Sequence, residues 1–138
     1  MHWSAAYVGL TWQEVGPELC WGLVRKVLLE RAGVTVPSYV DRHGGISDDQ
    51  ATIAALLRGE AASWPWQPVA VGAEREFDVA VFSRAGVESH VGIVVAPGRM
   101  LHLTRDYDAR IEHFDSGRWR LRLACIYRHQ GLITRYAA

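Results

Sequence analysis

The spacing of apolar residues changes once along this chain, at Phe77, and that change restricts the folds open to it. Before Phe77 the spacing is helical. Leu19, Leu23 and Val27, joined by Val24 and Leu28, follow the i, i+4 rule and form one buried stripe. From Phe77 the period is two. Phe77-Asp78-Val79-Ala80-Val81-Phe82 reads as a strand, His90-Val91-Gly92-Ile93-Val94-Val95 as a second and Arg99-Met100-Leu101-His102-Leu103 as a third. A turn with Gly86 spans Ser83 to Ser89, and Ala96-Pro97-Gly98 closes a tight hairpin. Arg110 to Phe114 is a fourth strand. Trp119 to Arg128 is a fifth, with Leu121, Leu123, Cys125 and Tyr127 alternating against Arg120, Arg122 and Arg128. Helices first and strands after predict an α+β fold, with N-terminal helices packed on one side of a central antiparallel sheet of about five strands.

The helical half has its own punctuation. Residues 1–16 are irregular or carry one short helix, and Gly16-Pro17 breaks the chain before the next. Pro17 suits a first helical turn because the N–H it lacks has no partner there, and Gly33 after Arg31 is a stop. The helix so bounded covers about residues 18–32. A loop over 33–46 leads to a second helix, announced by the capping pair Ser47 and Gln50 and closed by Gly59. Residues 60–76, with Trp64-Pro65-Trp66-Gln67-Pro68, read as irregular because proline cannot donate to a ladder.

At 138 residues the chain is expected to be one domain, 1–138. Fifteen acidic and fifteen basic residues balance, so overall charge draws it to neither nucleic acid nor a membrane surface. No apolar run is long enough to span a membrane, and no signal peptide is visible at the N-terminus. Two cysteines do not make a disulfide framework.

Cys20 falls in the first turn of the helix over 18–32. Unpaired N–H groups and the dipole favour a thiolate there, the nucleophilic form of cysteine. The bland alternative is a small apolar residue on a core helix. Cys125, mid-strand among leucines, reads as core filling. A nucleophilic cysteine needs a base, and the base needs a group to orient it. Among six histidines, His90 and His102 occupy neighbouring strands of one hairpin, twelve residues apart. A two-residue turn at Pro97-Gly98 alone would put them on opposite faces. An odd loop or a bulge pairs Gly92 with His102 and leaves the two histidines as same-face diagonal neighbours, roughly 7 Å apart at Cα. Cys20, His90 and His102 also have the types of zinc ligands, but no close-spaced ligand pair anchors such a site, and neither metal nor cofactor is expected. His2, His43, His113 and His129 have no neighbours that suggest chemistry.

These stretches together resemble the NlpC family of papain-like cysteine peptidases. The resemblance rests on Cys20-Trp21-Gly22-Leu23-Val24, on the strand from Phe77 to Phe82, on His90-Val91-Gly92-Ile93-Val94-Val95, and on Gly98-Arg99-Met100-Leu101-His102. Tyr7, Gly9 and Trp12 are similar to the family's Tyr-x-Gly-x-x-Tyr stretch. It covers about residues 5–105. The run from Cys20 to Arg25 is most like members found as phage tail or tail-assembly proteins. Two positions depart from the family pattern: Leu19 stands where relatives carry Asp or Asn before the nucleophile, and Glu76 stands where Gly is usual.

The resemblance implies a papain-like, NlpC-type fold and hydrolysis of amide bonds in peptidoglycan stem peptides, between D-glutamate and the diamino acid. It implies Cys20 as nucleophile, His90 as base and His102 as the residue that orients His90. Trp12, Trp21 and Tyr7 are the implied substrate contacts, with Trp64 or Trp66 as further groove walls and Glu18 as a stand-in for the missing acid at position 19. The implied partners are the stem peptide and other phage tail proteins. The implied location is a virion acting on the cell wall after synthesis in the cytoplasm. A non-catalytic tail-tip protein, or another Cys-His amidase or acyltransferase on the same scaffold, are the alternatives.

Overall fold

A computed structural model describes residues 2–16, 19–36, 65–84, 87–104 and 106–137. The helix expected from Ser47 lies outside them. After a 3-10 turn at Trp3–Ala6 come α1 (Trp12–Val15) and α2 (Leu19–Ala32). The strands are β1 (Trp66–Val69), β2 (Val79–Arg84), β3 (Val87–Ala96), β4 (Arg99–His102), β5 (Arg110–His113) and β6 (Leu123–His129). Two further helices are α3 (Gly117–Arg122) and α4 (Gln130–Ala137). The strands form one six-stranded sheet in the order β1-β6-β2-β3-β4-β5, with antiparallel pairs throughout. The expected α+β class and antiparallel sheet are what the structure shows, with one strand more than expected.

Alternation along the strands divides the core into two layers. Val79, Val81, Val91, Ile93, Leu101 and Leu103 pack with Leu23, Val24, Val27 and Leu28 of α2. Ala80, Phe82, Val94 and Met100 point the other way, against Phe114, Trp119 and Ile126. The stripe read from i, i+4 spacing is the buried face of α2, with all four of its described members fully buried.

Three expectations are corrected. The fifth strand begins at Leu123 rather than Trp119, because Gly117, with φ of 65°, starts α3. Helical geometry buries Trp119 and leaves Leu121 89% exposed, where a strand would have put both on one face. The Trp64–Pro68 region is not wholly irregular, since Trp66–Val69 forms β1, paired to β6. Pro68 is tolerated there because β1 is the outermost strand. The β2–β3 turn is shorter than Ser83 to Ser89, because β2 runs to Arg84 and β3 starts at Val87.

The entry to β2 is anchored by a buried acid. Asp78 is fully buried, and Arg128 of β6 grips both its oxygens at 2.8 Å through Nε and Nη2. The Arg75 N–H donates to Asp78 Oδ2 at 2.9 Å. A paired and fully hydrogen-bonded carboxylate tolerates such burial, whereas one left alone would not. Phe77, just before it, holds φ of 74°, a costly conformation for a bulky residue, with its ring stacked on Trp3 at 4.9 Å.

Candidate active site

The β3–β4 hairpin positions the two histidines. Ala96 pairs with Arg99 across the Pro97-Gly98 turn, and the register then shifts, so that Val94 pairs with Met100 and Ile93 with Leu101. A two-residue turn plus a bulge therefore supplies the odd count that same-face histidines require. Gly98 makes the turn possible. Its φ is 76°, and a Cβ there would collide with the Asp115 carboxylate. Buried Glu74 holds the turn by accepting from the Gly98 N–H at 2.9 Å.

His90 and His102 consequently meet. His90 Nε2 lies 2.7 Å from His102 Nδ1, with the rings edge to face at 5.0 Å between centroids. His102 is fully buried and His90 is 6% exposed. The other nitrogen of His102, Nε2, lies 2.6 Å from Glu112 Oε2. Glu112 sits on β5 opposite Met100, which places it diagonally from His102 on the same face. Trp119 closes the site. Its indole stacks on His90 at 5.1 Å and donates from Nε1 to Glu112 Oε2 at 3.3 Å.

Burial is the first cause that pushes the His90 pKa well below the usual imidazole value; His102 and Arg122 add to it. Burial also lowers His102, against the raising effect of Glu112. For Glu112 burial acts upward, but the bond from His102, the charge of Arg110 and the Trp119 N–H outweigh it, leaving its pKa below the usual carboxylate value. Near neutral pH the site thus holds two neutral imidazoles and one carboxylate. Its open side is a cavity of about 290 Å³ lined by His90, Thr104, Asp106, Tyr107, Arg118, Trp119 and Arg122.

Cys20 is the second residue of α2 and is 1% exposed, within the layer on the α2 side of the sheet. His90 and His102 continue the positions of Phe82 and Met100 and face the other layer. His90 meets His102, Phe82 and Trp119. The histidine pair is built.

The expected substrate contacts divide. Trp12 is half-buried at the head of α1. Trp21 is 1% exposed and packs on Trp66, itself buried. Tyr7 is buried too, its hydroxyl donating to Glu30 at 2.7 Å and accepting from Arg31 Nε at 3.1 Å. Glu18 and Trp64 lie outside the described residues. Cys125 is half-buried beside the α2-side layer. Among the described residues no group of three or more His, Cys, Asp and Glu is placed to hold a metal ion. Glu112 and Trp119 escaped the sequence reading. The available signal was Glu112 itself, an acid in a short strand next to the one that carries His102.

No protein-family model and no curated protein sequence matches the chain. Solved structures do. An NLP/P60 family protein similar to lipoprotein, from Staphylococcus aureus, superposes with a TM-score of 0.58 at 18% identity, over 91% of this chain and 38% of that one. NlpC2 from Trichomonas vaginalis gives 0.58 at 19% identity, over 91% of this chain and 43% of that one. The NlpC/p60 domain of the peptidoglycan hydrolase SagA gives 0.56 at 15% identity, over 91% of this chain and 92% of that domain. The chain spans well under half the length of the first and second of these proteins. Its fold is the NlpC/P60 fold.

Proposed function

We propose that the protein is a cysteine endopeptidase acting on peptidoglycan stem peptides, at the amide between D-glutamate and the diamino acid. The observation that carries this reading is the hydrogen-bonded chain from buried His90 through buried His102 to half-buried Glu112, in a fold shared with a peptidoglycan hydrolase domain. His90 is the base, and His102 orients it. The nucleophile is Cys20, at the start of α2. The reaction requires the Cys20 sulfur to come within hydrogen-bond reach of His90.

The proton of the thiol passes to His90, and the sulfur attacks the scissile carbonyl carbon. The tetrahedral oxyanion meets N–H groups at the start of α2. The C–N bond breaks as His90 returns its proton to the leaving amine, which leaves a thioester on Cys20. Water then loses a proton to His90 and attacks the thioester. The C–S bond breaks, releasing the acid product and the thiol. The stretch Cys20-Trp21-Gly22-Leu23-Val24-Arg25 supports placing the enzyme on a phage or prophage tail, made in the cytoplasm and acting on the cell wall with other tail proteins as partners.

Wild type is expected to release two fragments from purified stem peptide, and Cys20→Ala none. Retained cleavage by Cys20→Ala would sink the mechanism. A second reading, a tail protein without catalysis, draws on Leu19 in place of the acidic or amide residue that the resemblance expects before the nucleophile. It predicts no cleavage by wild type, and alkylation of Cys20 no faster at neutral pH than for a buried thiol.

A further inference from the structure

We propose that Glu112 sets the tautomers of both buried histidines, so that the bare, basic nitrogen of His90 is Nδ1. The proposal rests on the reading of His90 as the base, and it adds which nitrogen acts and which residue decides it.

An ionised carboxylate only accepts hydrogen bonds. At 2.6 Å from Glu112 Oε2, His102 Nε2 therefore carries the proton. A neutral imidazole has one N–H, so His102 Nδ1 is an acceptor. Facing it at 2.7 Å is His90 Nε2, which must donate. That uses the single N–H of neutral His90, and Nδ1 is left with a lone pair. With Glu112 charged and both rings neutral, the chain of bonds runs in one direction only.

The surroundings favour that charge state. Arg110 Nε lies 3.6 Å from Glu112 Oε2, and Trp119 Nε1 donates to the same oxygen. Arg118 and Arg122 on α3 flank the Trp119 ring at 5.1 and 4.6 Å and oppose protonation of the histidines. Tyr107, from the β4–β5 loop, covers the edge of His102 at 6.1 Å. Burial of the two rings holds them neutral. When His90 Nδ1 takes a proton, His90 becomes an imidazolium whose Nε2–H already points at His102. Glu112 then stabilises that charge through the intervening ring without itself taking a proton. Glu112 is thus a positioning residue: its carboxylate acts through His102 and touches no substrate.

Long-range proton–nitrogen NMR of the imidazoles in the full-length, nitrogen-labelled protein reads the tautomers directly. Wild type is expected to show Nε2–H and bare Nδ1 on both rings. Glu112→Leu is expected to mix the tautomers of both. Glu112→Gln keeps the shape but loses the charge. It should lower kcat for stem-peptide cleavage by on the order of 10²-fold, shift the acid limb of the pH profile, and leave KM within about twofold. Glu112→Asp should recover part of the loss. A bare Nε2 on wild-type His90, or spectra of Glu112→Leu unchanged from wild type, would overturn the proposal. Failure of wild type to cleave would overturn the peptidase reading, and the ring spectra would still decide the tautomers.

Discussion

The two faces of the same sheet do different work, although the same strands build both. On the α2 face, Val79, Val81, Val91, Ile93, Leu101 and Leu103 meet Leu23, Val24, Val27 and Leu28 in an almost wholly apolar layer. On the other face, one residue along each strand, Phe82, Val94 and Met100 share their layer with buried His90 and His102, and Glu112 reaches in from β5. The first layer can take any well-shaped apolar side chain. The second must satisfy every polar atom that it buries, since an unpaired one costs about 1–3 kcal/mol. A strand keeps these demands apart because its side chains alternate, and the bulge in β3 sets which residues go where.

The harshest test of this division is to shift it. One glycine inserted between Gly98 and Arg99 should slip β4 by one residue against β3, carrying His102 toward α2 and Leu101 toward Trp119. Denaturant titration is expected to show no cooperative unfolding. A native-like transition would mean that the bulge does not set the faces. Leu23→Ala comes next. It opens a cavity in the α2 layer and should lower unfolding free energy by about 2–5 kcal/mol while the His90 and His102 ring signals keep their positions. If those signals move, the faces are coupled.

The pH dependence probes the second face alone. His90 and His102 have folded pKa values below the unfolded imidazole value of 6.5, so the unfolded chain binds more protons as pH falls below that value. Stability is therefore complete above about pH 6.5 and declines below it, by at most about 1.4 kcal/mol per pH unit for each ring. His129 has a pKa lowered by burial and adds in the same direction. Tm should fall between pH 6.5 and 5; a flat profile would deny that the rings are held neutral. The smallest effect is expected at Leu121, which belongs to neither layer and is 89% exposed. Leu121→Ser should change stability by less than about 0.5 kcal/mol, by the same titration.

Much of the molecule was legible because it depends on neighbours along the chain. Helical spacing marked the buried face of α2, and alternation marked the strands that carry His90 and His102. Counting residues around Pro97-Gly98 showed what the hairpin needed for the two rings to meet. Less was legible at the C-terminal end. Trp119 fitted an alternating pattern as well as it fits α3, and only Gly117, with its positive φ, decides between them.

By itself, then, the sequence determined the order of helices and strands, the apolar stripe of α2 with Cys20 near its start, and the condition for pairing the histidines. Those properties follow from period, turn chemistry and propensity, which act over a few residues. Only the tertiary structure decided that Glu112 completes the chain of bonds, that Trp119 seals it, and that His90 lies opposite Phe82 and stacks on Trp119. Each of these depends on how β5, α3 and β2 are set against β3 and β4. That register is fixed by packing between segments remote in sequence, such as the Arg128 grip on Asp78 and the hold of Glu74 on Gly98.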